Sequence, residues 1–180
     1  MYILTTTIFL LVMITQSYSD TILKDNFQNP EKWSFVSDKV MGGISSGKVF
    51  FNSKDNKNFA YISGKVSTKN NGGFIQIRRK LNDINLSKSQ FIKVIAKGNN
   101  QKYFVHIRTT GTFFPWQYYQ LDFNVEEDYK EIKLPIREFK RSGSFLSKTI
   151  NPQNITSIGL VAFGRDHLAE LYIQEIEFIE

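Results

Sequence analysis

Asn70-Asn71-Gly72-Gly73-Phe74-Ile75-Gln76-Ile77-Arg78-Arg79-Lys80 sets the pattern for the whole chain. Four turn formers come first, and Asn and Gly enter left-handed backbone at little steric cost. Apolar and polar side chains then alternate, and a strand sends successive residues to opposite faces. Phe74, Gln76 and Arg78 therefore share one face, and Ile75 and Ile77 share the other. A turn followed by a strand with one aliphatic face is the unit of an antiparallel sheet that buries one side.

The unit recurs in both directions. Upstream, Asp20–Trp33 reads as an opening strand and loop, Trp33–Val36 alternates, and Lys48–Asn52 and Phe59–Gly64 are short strands. Downstream, Phe91–Ala96 and Tyr103–Thr109 flank the turn composition Lys97-Gly-Asn-Asn-Gln-Lys102. Trp116–Phe123 and Tyr129–Pro135 follow, joined through Glu126-Glu127-Asp128. Pro135–Phe139 suits a single helical turn, because proline is tolerated at a helix start. Ser142–Asn154 is polar and reads as a loop, and Ile155–Phe163 and Glu170–Ile179 close the chain as strands. In the last strand the apolar positions Leu171, Ile173, Ile176 and Phe178 slip by one residue, which predicts a β-bulge near Gln174. No stretch carries a long helical period, an internal repeat or low complexity. Sixteen Phe and eight Tyr fit strands better than helices, and 180 residues suffice for one core. The expectation is one all-β domain over residues 20–180, a two-sheet antiparallel sandwich.

The first residues differ. From Tyr2 to Tyr18 no side chain is charged, Ile8–Ile14 is wholly apolar, and Ser17 and Ser19 supply small residues where a signal peptidase reads. The run is short for a membrane span and matches a secretory signal peptide over residues 1–19. No Lys or Arg precedes it, so an uncleaved membrane anchor is the alternative. The expected compartment is the periplasm or the extracellular space. Arg-rich amphipathic character is absent, which argues against a mitochondrial presequence.

The net charge of +6 is scattered, densest at Arg78-Arg79-Lys80 and Lys140-Arg141, and scatter of this kind does not mark a nucleic-acid interface. The absence of cysteine excludes disulfides, thiolate metal sites and thiol nucleophiles. Asn85-Leu-Ser87 and Asn154-Ile-Thr156 are glycosylation acceptors in a eukaryotic host.

Several ordered motifs together carry a family resemblance. Trp33 is followed by Asp38-Lys-Val-Met41-Gly42-Gly43, Ser45 and Gly47, and then by Gly64-Lys-Val-Ser67, Asn70-Asn71-Gly72-Gly73-Phe74 and Arg78. Tyr103, Arg108, Tyr118-Tyr119-Gln120, Leu134-Pro135, Phe139 and Ile158-Gly159-Leu160 continue in order. Over Asp25 to Ile179 the chain resembles the complex I intermediate-associated protein 30 family. The resemblance implies a jelly roll of the galactose-binding-domain type. It also implies a chaperone-like role, since mitochondrial members help to assemble respiratory complex I in the matrix. An export signal departs from that setting. The family's Arg-Gly-Arg type loop has only a partial counterpart in Lys140-Arg141-Ser142-Gly143.

Three features invite a functional reading. The paired glycines Gly42-Gly43 and Gly72-Gly73, with Asp38, Met41, Asn70 and Asn71, either build turns or let a ligand approach the backbone. By period two, Phe104, His106 and Arg108 oppose Val105 and Ile107, while Tyr118, Gln120 and Asp122 oppose Tyr119, Leu121 and Phe123. If these strands share a sheet, Gln76, Arg78, His106, Arg108, Tyr118, Gln120 and Asp122 form one patch. Such a patch suits a sugar or a peptide, or else it is a solvated face with pairing of the Arg78–Asp122 kind. Phe113, Phe114 and Trp116 either stand at a binding rim or plug one end of the core.

Catalytic signals are thin. His106 and His167 are the only histidines and neither has metal-binding spacing. Ser45, Asp38 and His106 as a triad would lack a nucleophile elbow. Asp20 or Asp25 offers carboxylate for a structural calcium, yet no calcium loop is visible. The expectation is a non-enzymatic domain with no cofactor and no metal. Its partner is either a protein, in a chaperone-like role on envelope proteins, or a glycan held on the polar strand face.

Overall fold

The computed structural model describes residues 20–180, so the segment expected to be a signal peptide lies outside the described residues. Twelve strands follow in order: β1 (Thr21–Asp25), β2 (Trp33–Ser37), β3 (Ser46–Lys54), β4 (Lys57–Val66), β5 (Phe74–Lys80), β6 (Phe91–Gly98), β7 (Lys102–Thr109), β8 (Tyr119–Asn124), β9 (Lys130–Pro135), β10 (Lys140–Arg141), β11 (Ile155–Phe163) and β12 (His167–Ile179). The helical pieces among the described residues are 3-10 turns of three or four residues, one of them Ile136–Glu138 after Pro135, where a single turn is expected.

The strands form two six-stranded antiparallel sheets, as the period-two reading predicts. One runs β3-β4-β12-β6-β9, with β1 added beside β12, and the other runs β10-β8-β7-β11-β5-β2. Their inner faces meet in a single core that includes Ile62, Ile75, Ile77, Ile92, Tyr103, Val105, Ile107, Leu160, Leu171 and Phe178, none more than about 1% exposed. Alternation holds in detail: Ile75, Ile77 and Arg79 are buried on β5, while Phe74, Gln76 and Arg78 are half-buried on its other side.

The β12 bulge falls where the apolar pattern slips. Register against β6 shifts between Ile173 and Glu175, leaving Gln174 extra. Before the bulge β12 pairs with β4, and beyond it Ile176 to Ile179 pair with β1. One thirteen-residue strand thus serves two short neighbours while keeping its aliphatic side inward. Two expectations need correction. β8 begins at Tyr119, not Trp116, because residues 116–118 are pinned in a loop by Gln117 and Ser142. The pair Lys140–Arg141 forms a short edge strand on β8 that charge alone does not announce.

The glycine motifs meet at one buried carboxylate. Asp38 is fully buried and accepts hydrogen bonds from the Ser45 N–H (2.9 Å), the Ser45 hydroxyl, the Gly73 N–H (2.6 Å) and the Phe74 N–H (3.2 Å). Burial alone would push its carboxyl up; the Ser45, Gly73 and Phe74 donors outweigh that and hold it below the usual carboxylate range. Each glycine pair divides two tasks. Gly42 (φ 87°) and Gly73 (φ 130°) take backbone that L side chains avoid, while a Cβ on Gly43 or Gly72 would press within 3.0 Å of the Asp38 side chain. Asn70 and Asn71 both have φ 57°, and Met41 is about half exposed on the Asp38 turn. Asp38, Ser45, Gly73 and Phe74 thus build a knot between two loops.

Asp25 is similarly engaged. It pairs with the buried Arg79 guanidinium and accepts from Trp33 Nε1 (2.9 Å) and the Phe27 N–H (2.8 Å), so its oxygens face protein donors and not a calcium site. The Arg78-Arg79-Lys80 cluster is therefore split by alternation, with Arg79 inside and its two neighbours outside.

Candidate functional site

The outer face of the second sheet carries the polar residues singled out by alternation. Strand order places β11 between β7 and β5, so its own outward residues complete the face. In register, Gln120, His106, Gly159, Arg78 and Ser34 form one row across five strands. Ser157 lies between Arg108 and Lys80 in the next row, and Val161 between Phe104 and Gln76 on the other side. Because Gly159 has no side chain, the middle of the central row is a gap. Its walls form a small hollow of about 40 Å³ lined by Gln76, Arg78, His106, Arg108, Pro115, Tyr118, Ser157 and Gly159.

Beside the gap stands an aromatic cluster. The His106 ring stacks on Tyr118 with centroids 4.2 Å apart and planes 9° from parallel, and Phe163 meets His106 edge-on at 5.2 Å. Phe104 completes the group at 5.5 Å from Phe163. Burial pushes His106 down to about 3, with the Gln120 amide acting weakly in the opposite sense, and burial pushes the Tyr118 hydroxyl up. His106 is therefore neutral at ordinary pH and serves as a ring. Among the described residues neither His106 Nε2 nor Gln120 Oε1 has a hydrogen bond of good geometry, although both are buried.

Arg108 holds the rim. Its Nη2 donates to the carbonyls of Thr112 (2.9 Å) and Phe114 (3.0 Å), and its Nε to the Thr112 hydroxyl (3.3 Å). Gln117 Oε1 accepts from the N–H groups of Phe113 (2.8 Å) and Phe114 (3.0 Å), and the Ser142 hydroxyl donates to the Trp116 carbonyl at 2.9 Å. These bonds fix a loop on which Phe114 and Trp116 lie parallel, 4.9 Å apart and 2° from coplanar orientation. Phe113, Phe114 and Trp116 are 82%, 52% and 61% exposed, so they stand at the rim and do not plug the core.

Arg78 contrasts with Arg108. Among the described residues no hydrogen-bond acceptor or carboxylate engages its guanidinium. It lies close enough to Arg108 that burial, joined by the Arg78 charge, draws Arg108 below the usual guanidinium value. Asp122 does not pair with Arg78: it lies 3.3 Å from Lys102 near the opposite end of the face. The fold thus brings Gln76, Arg78, His106, Arg108 and Tyr118 around one hollow, puts Gln120 beside His106, and leaves Asp122 and Trp116 outside it. The sequence alone does not bring Gly159, Ser157, Phe163 or Lys80 to this face, although alternation along Ile155–Phe163 places the first three on one side of their strand.

The imagined triad does not form. Ser45 and Asp38 are hydrogen-bonded in the buried knot, while His106 lies in the aromatic cluster on the outer face. Among the described residues no group of three or more His, Asp or Glu side chains is placed to hold a metal ion. No described helix is long and apolar enough to cross a membrane.

The two-sheet fold is similar to that of several solved carbohydrate-binding modules. A family 11 module from Clostridium thermocellum, solved with a β-1,3-1,4-mixed-linked tetrasaccharide, superposes with a TM-score of 0.71 at 17% identity, covering 91% of this chain and 97% of that one. The family 11 module of the cellulosomal cellulase Lic26A-Cel5E from the same organism gives 0.70 at 15% identity, covering 92% and 97%. A family 30 carbohydrate-binding module gives 0.54 at 10% identity, covering 74% and 73%. At these identities the likeness is one of fold. A search of curated proteins returned no match. Residues 24–172 match the family described as Complex I intermediate-associated protein 30, and the chain belongs to that family.

Proposed function

We propose that this chain is a non-catalytic carbohydrate-binding member of its family, holding a glycan across the outer face of the β10-β8-β7-β11-β5-β2 sheet. The carrying observation is the Arg78 guanidinium, unpaired among the described residues, beside the Gly159 gap, walled by Tyr118 and His106 and overlooked by Phe114 and Trp116. A sugar offers ring oxygens and hydroxyls to guanidinium and amide groups. It also offers weakly positive C–H edges to the negative face of an aromatic ring. The rim is already fixed by Arg108, Gln117 and Ser142, so binding orders little further backbone, and pre-organisation of this kind raises affinity. A likeness to a module solved with a β-1,3-1,4-mixed-linked tetrasaccharide supports the reading at the level of fold. Export, read from residues 1–19, would place the domain where polysaccharides are met.

The test is a glycan array probed with the purified chain, followed by titration of intrinsic Trp fluorescence with any hit. Binding that shifts the emission and is lost in Arg78→Ala is expected. No binding to neutral or acidic glycans would refute the reading.

A second reading, a chaperone-like accessory domain, is supported by family membership and by the exposed Phe113, Phe114, Trp116 and Phe145. Under it, Phe145→Ser should weaken suppression of aggregation of a denatured test protein and leave glycan binding intact.

A further inference from the structure

From the charge around Arg78 we infer that the glycan this face takes is an anionic one, with a carboxylate or sulfate group seated between Arg78 and Lys80. The inference rests on the glycan-binding reading and adds the class of sugar.

Three adjoining hollows meet at Arg78. The small one holds the Gly159 gap. Next to it a hollow of about 280 Å³ is lined by Arg78, Lys80 and Arg108 with Asn82, Ser157 and two threonines, and no carboxylate lines it. In the third, of about 480 Å³, Lys32, Arg78, Arg79 and Lys80 face Glu31 and Asp83. Arg79 is already neutralised by Asp25 beneath the sheet, and Lys32, Arg78 and Lys80 still outnumber the two carboxylates there.

On the other sheet two lysines are answered by carboxylates: Lys93 reaches Glu177 at 2.6 Å and Glu175 at 3.5 Å, and Lys24 reaches Glu177 at 2.9 Å. Arg78 and Lys80 have no ion pair among the described residues. Arg108 is committed to carbonyls and a hydroxyl, so its charge is unneutralised as well. Like charges placed together on a partly desolvated face repel, and an anion between them removes that penalty. Arg78 presents a planar fork suited to two oxygens of a carboxylate or sulfate, and Lys80 adds a point charge from the neighbouring row. Ser157, whose hydroxyl has no partner among the described residues, stands in register with Lys80 and supplies a further donor. A neutral glucan would leave these charges unanswered.

Affinity electrophoresis of the full chain distinguishes the cases. The gels contain polygalacturonate, alginate or neutral mixed-linkage β-glucan at low and moderate salt. The variants are Arg78→Gln, Lys80→Gln and, on the opposite sheet, Lys133→Gln. Retardation by an acidic polymer is expected, weakened about tenfold by either Arg78→Gln or Lys80→Gln and unaffected by Lys133→Gln. Retardation by the neutral glucan alone would overturn the anionic assignment and leave the glycan reading standing. Retardation by none would overturn both. Equal loss in all three variants would reduce the effect to net charge and overturn the site. Sodium sulfate at matched ionic strength displacing the polymer completely, with equal stabilisation by sulfate alone, would mark a small-anion site and also overturn it.

Discussion

The Asp38 carboxylate accepts the Gly73 N–H at 2.6 Å, tying together two turns 35 residues apart. The same oxygen takes the Phe74 N–H, so β5 starts from this anchor, and Arg78 lies four residues further along. Replacing Asp38 by Asn puts an amide donor where only donors point, leaving at least one buried N–H unpaired. A loss of about 3 kcal/mol is expected, which for a chain of this size lowers the melting temperature by roughly 6–12 °C. Calorimetry at neutral pH checks it; a drop of only a degree or two would show that the knot is dispensable.

The glycine pairs give a sharper contrast. A Cβ at Gly72 would run into the Asp38 carboxylate, whereas one at Gly143 meets nothing within 4 Å. Gly72→Ala should therefore destabilise by about 2 kcal/mol or more, through strain and a displaced buried carboxylate, and Gly143→Ala by nearly nothing. Parallel urea melts of the two variants decide the point.

Much of this architecture was legible in the chain because alternation is local. Ile75 and Ile77, Val105 and Ile107, and the slip at Gln174 each report which side of a strand is buried without knowledge of its neighbours. What alternation cannot supply is strand order. Gly159 matters because β11 lies between β7 and β5, and nothing near Gly159 in sequence names those neighbours. For the same reason Arg78 and Arg108 look alike in sequence, yet Arg108 is bound to the carbonyls of its own loop and Arg78 has no hydrogen-bond or ion-pair partner among the described residues. Alternation groups Asp122 with them by face, but it lies along the strand beside Lys102.

His106 makes the fold acid-sensitive. Its folded value is about 3 against about 6.5 unfolded, so below pH 6.5 the unfolded chain binds the extra proton. Stability should be flat above about pH 6.5 and fall as pH drops toward 3, with a slope of up to about 1.4 kcal/mol per pH unit. Asp38, also depressed, adds to the loss only once the pH approaches the ordinary carboxylate range, near pH 4. In His106→Phe the aromatic stack is kept and the unpaired nitrogen removed. The slope between pH 6.5 and 4 should then flatten, with stability at pH 7 equal or slightly higher. An unchanged slope in chemical melts across this range would count against the assignment.

Arg108 should act on binding more than on folding. Lysine keeps the charge but cannot fork to two carbonyls and a hydroxyl together. Arg108→Lys should free the Phe114–Trp116 loop, shifting Trp emission to the red and weakening glycan affinity about tenfold, while the melting temperature moves by only about 2–4 °C, the equivalent of about 1 kcal/mol. A melting point that fell as far as in Asp38→Asn would make Arg108 a structural residue first.

Gly159 separates the fold from the site most cleanly. A Cβ there would sit 2.8 Å from Gln76 Oε1, the far end of a flexible side chain, and its next neighbours are 3.5 Å and 3.7 Å away. Gln76 can swing outward, and a residue with a side chain is better placed in a strand than glycine. Gly159→Ala should therefore melt within about 2 °C of the parent, since roughly 0.5 kcal/mol either way is at stake. The added methyl nevertheless occupies the gap between His106 and Arg78 and turns Gln76 out of the wall. Glycan affinity should fall at least tenfold, and Gly159→Val should abolish it while the far-UV spectrum stays unchanged. If titration instead finds Gly159→Ala binding as tightly as the parent, the sugar does not cross the central row. The rim at Phe114 and Trp116 would then be the place to look.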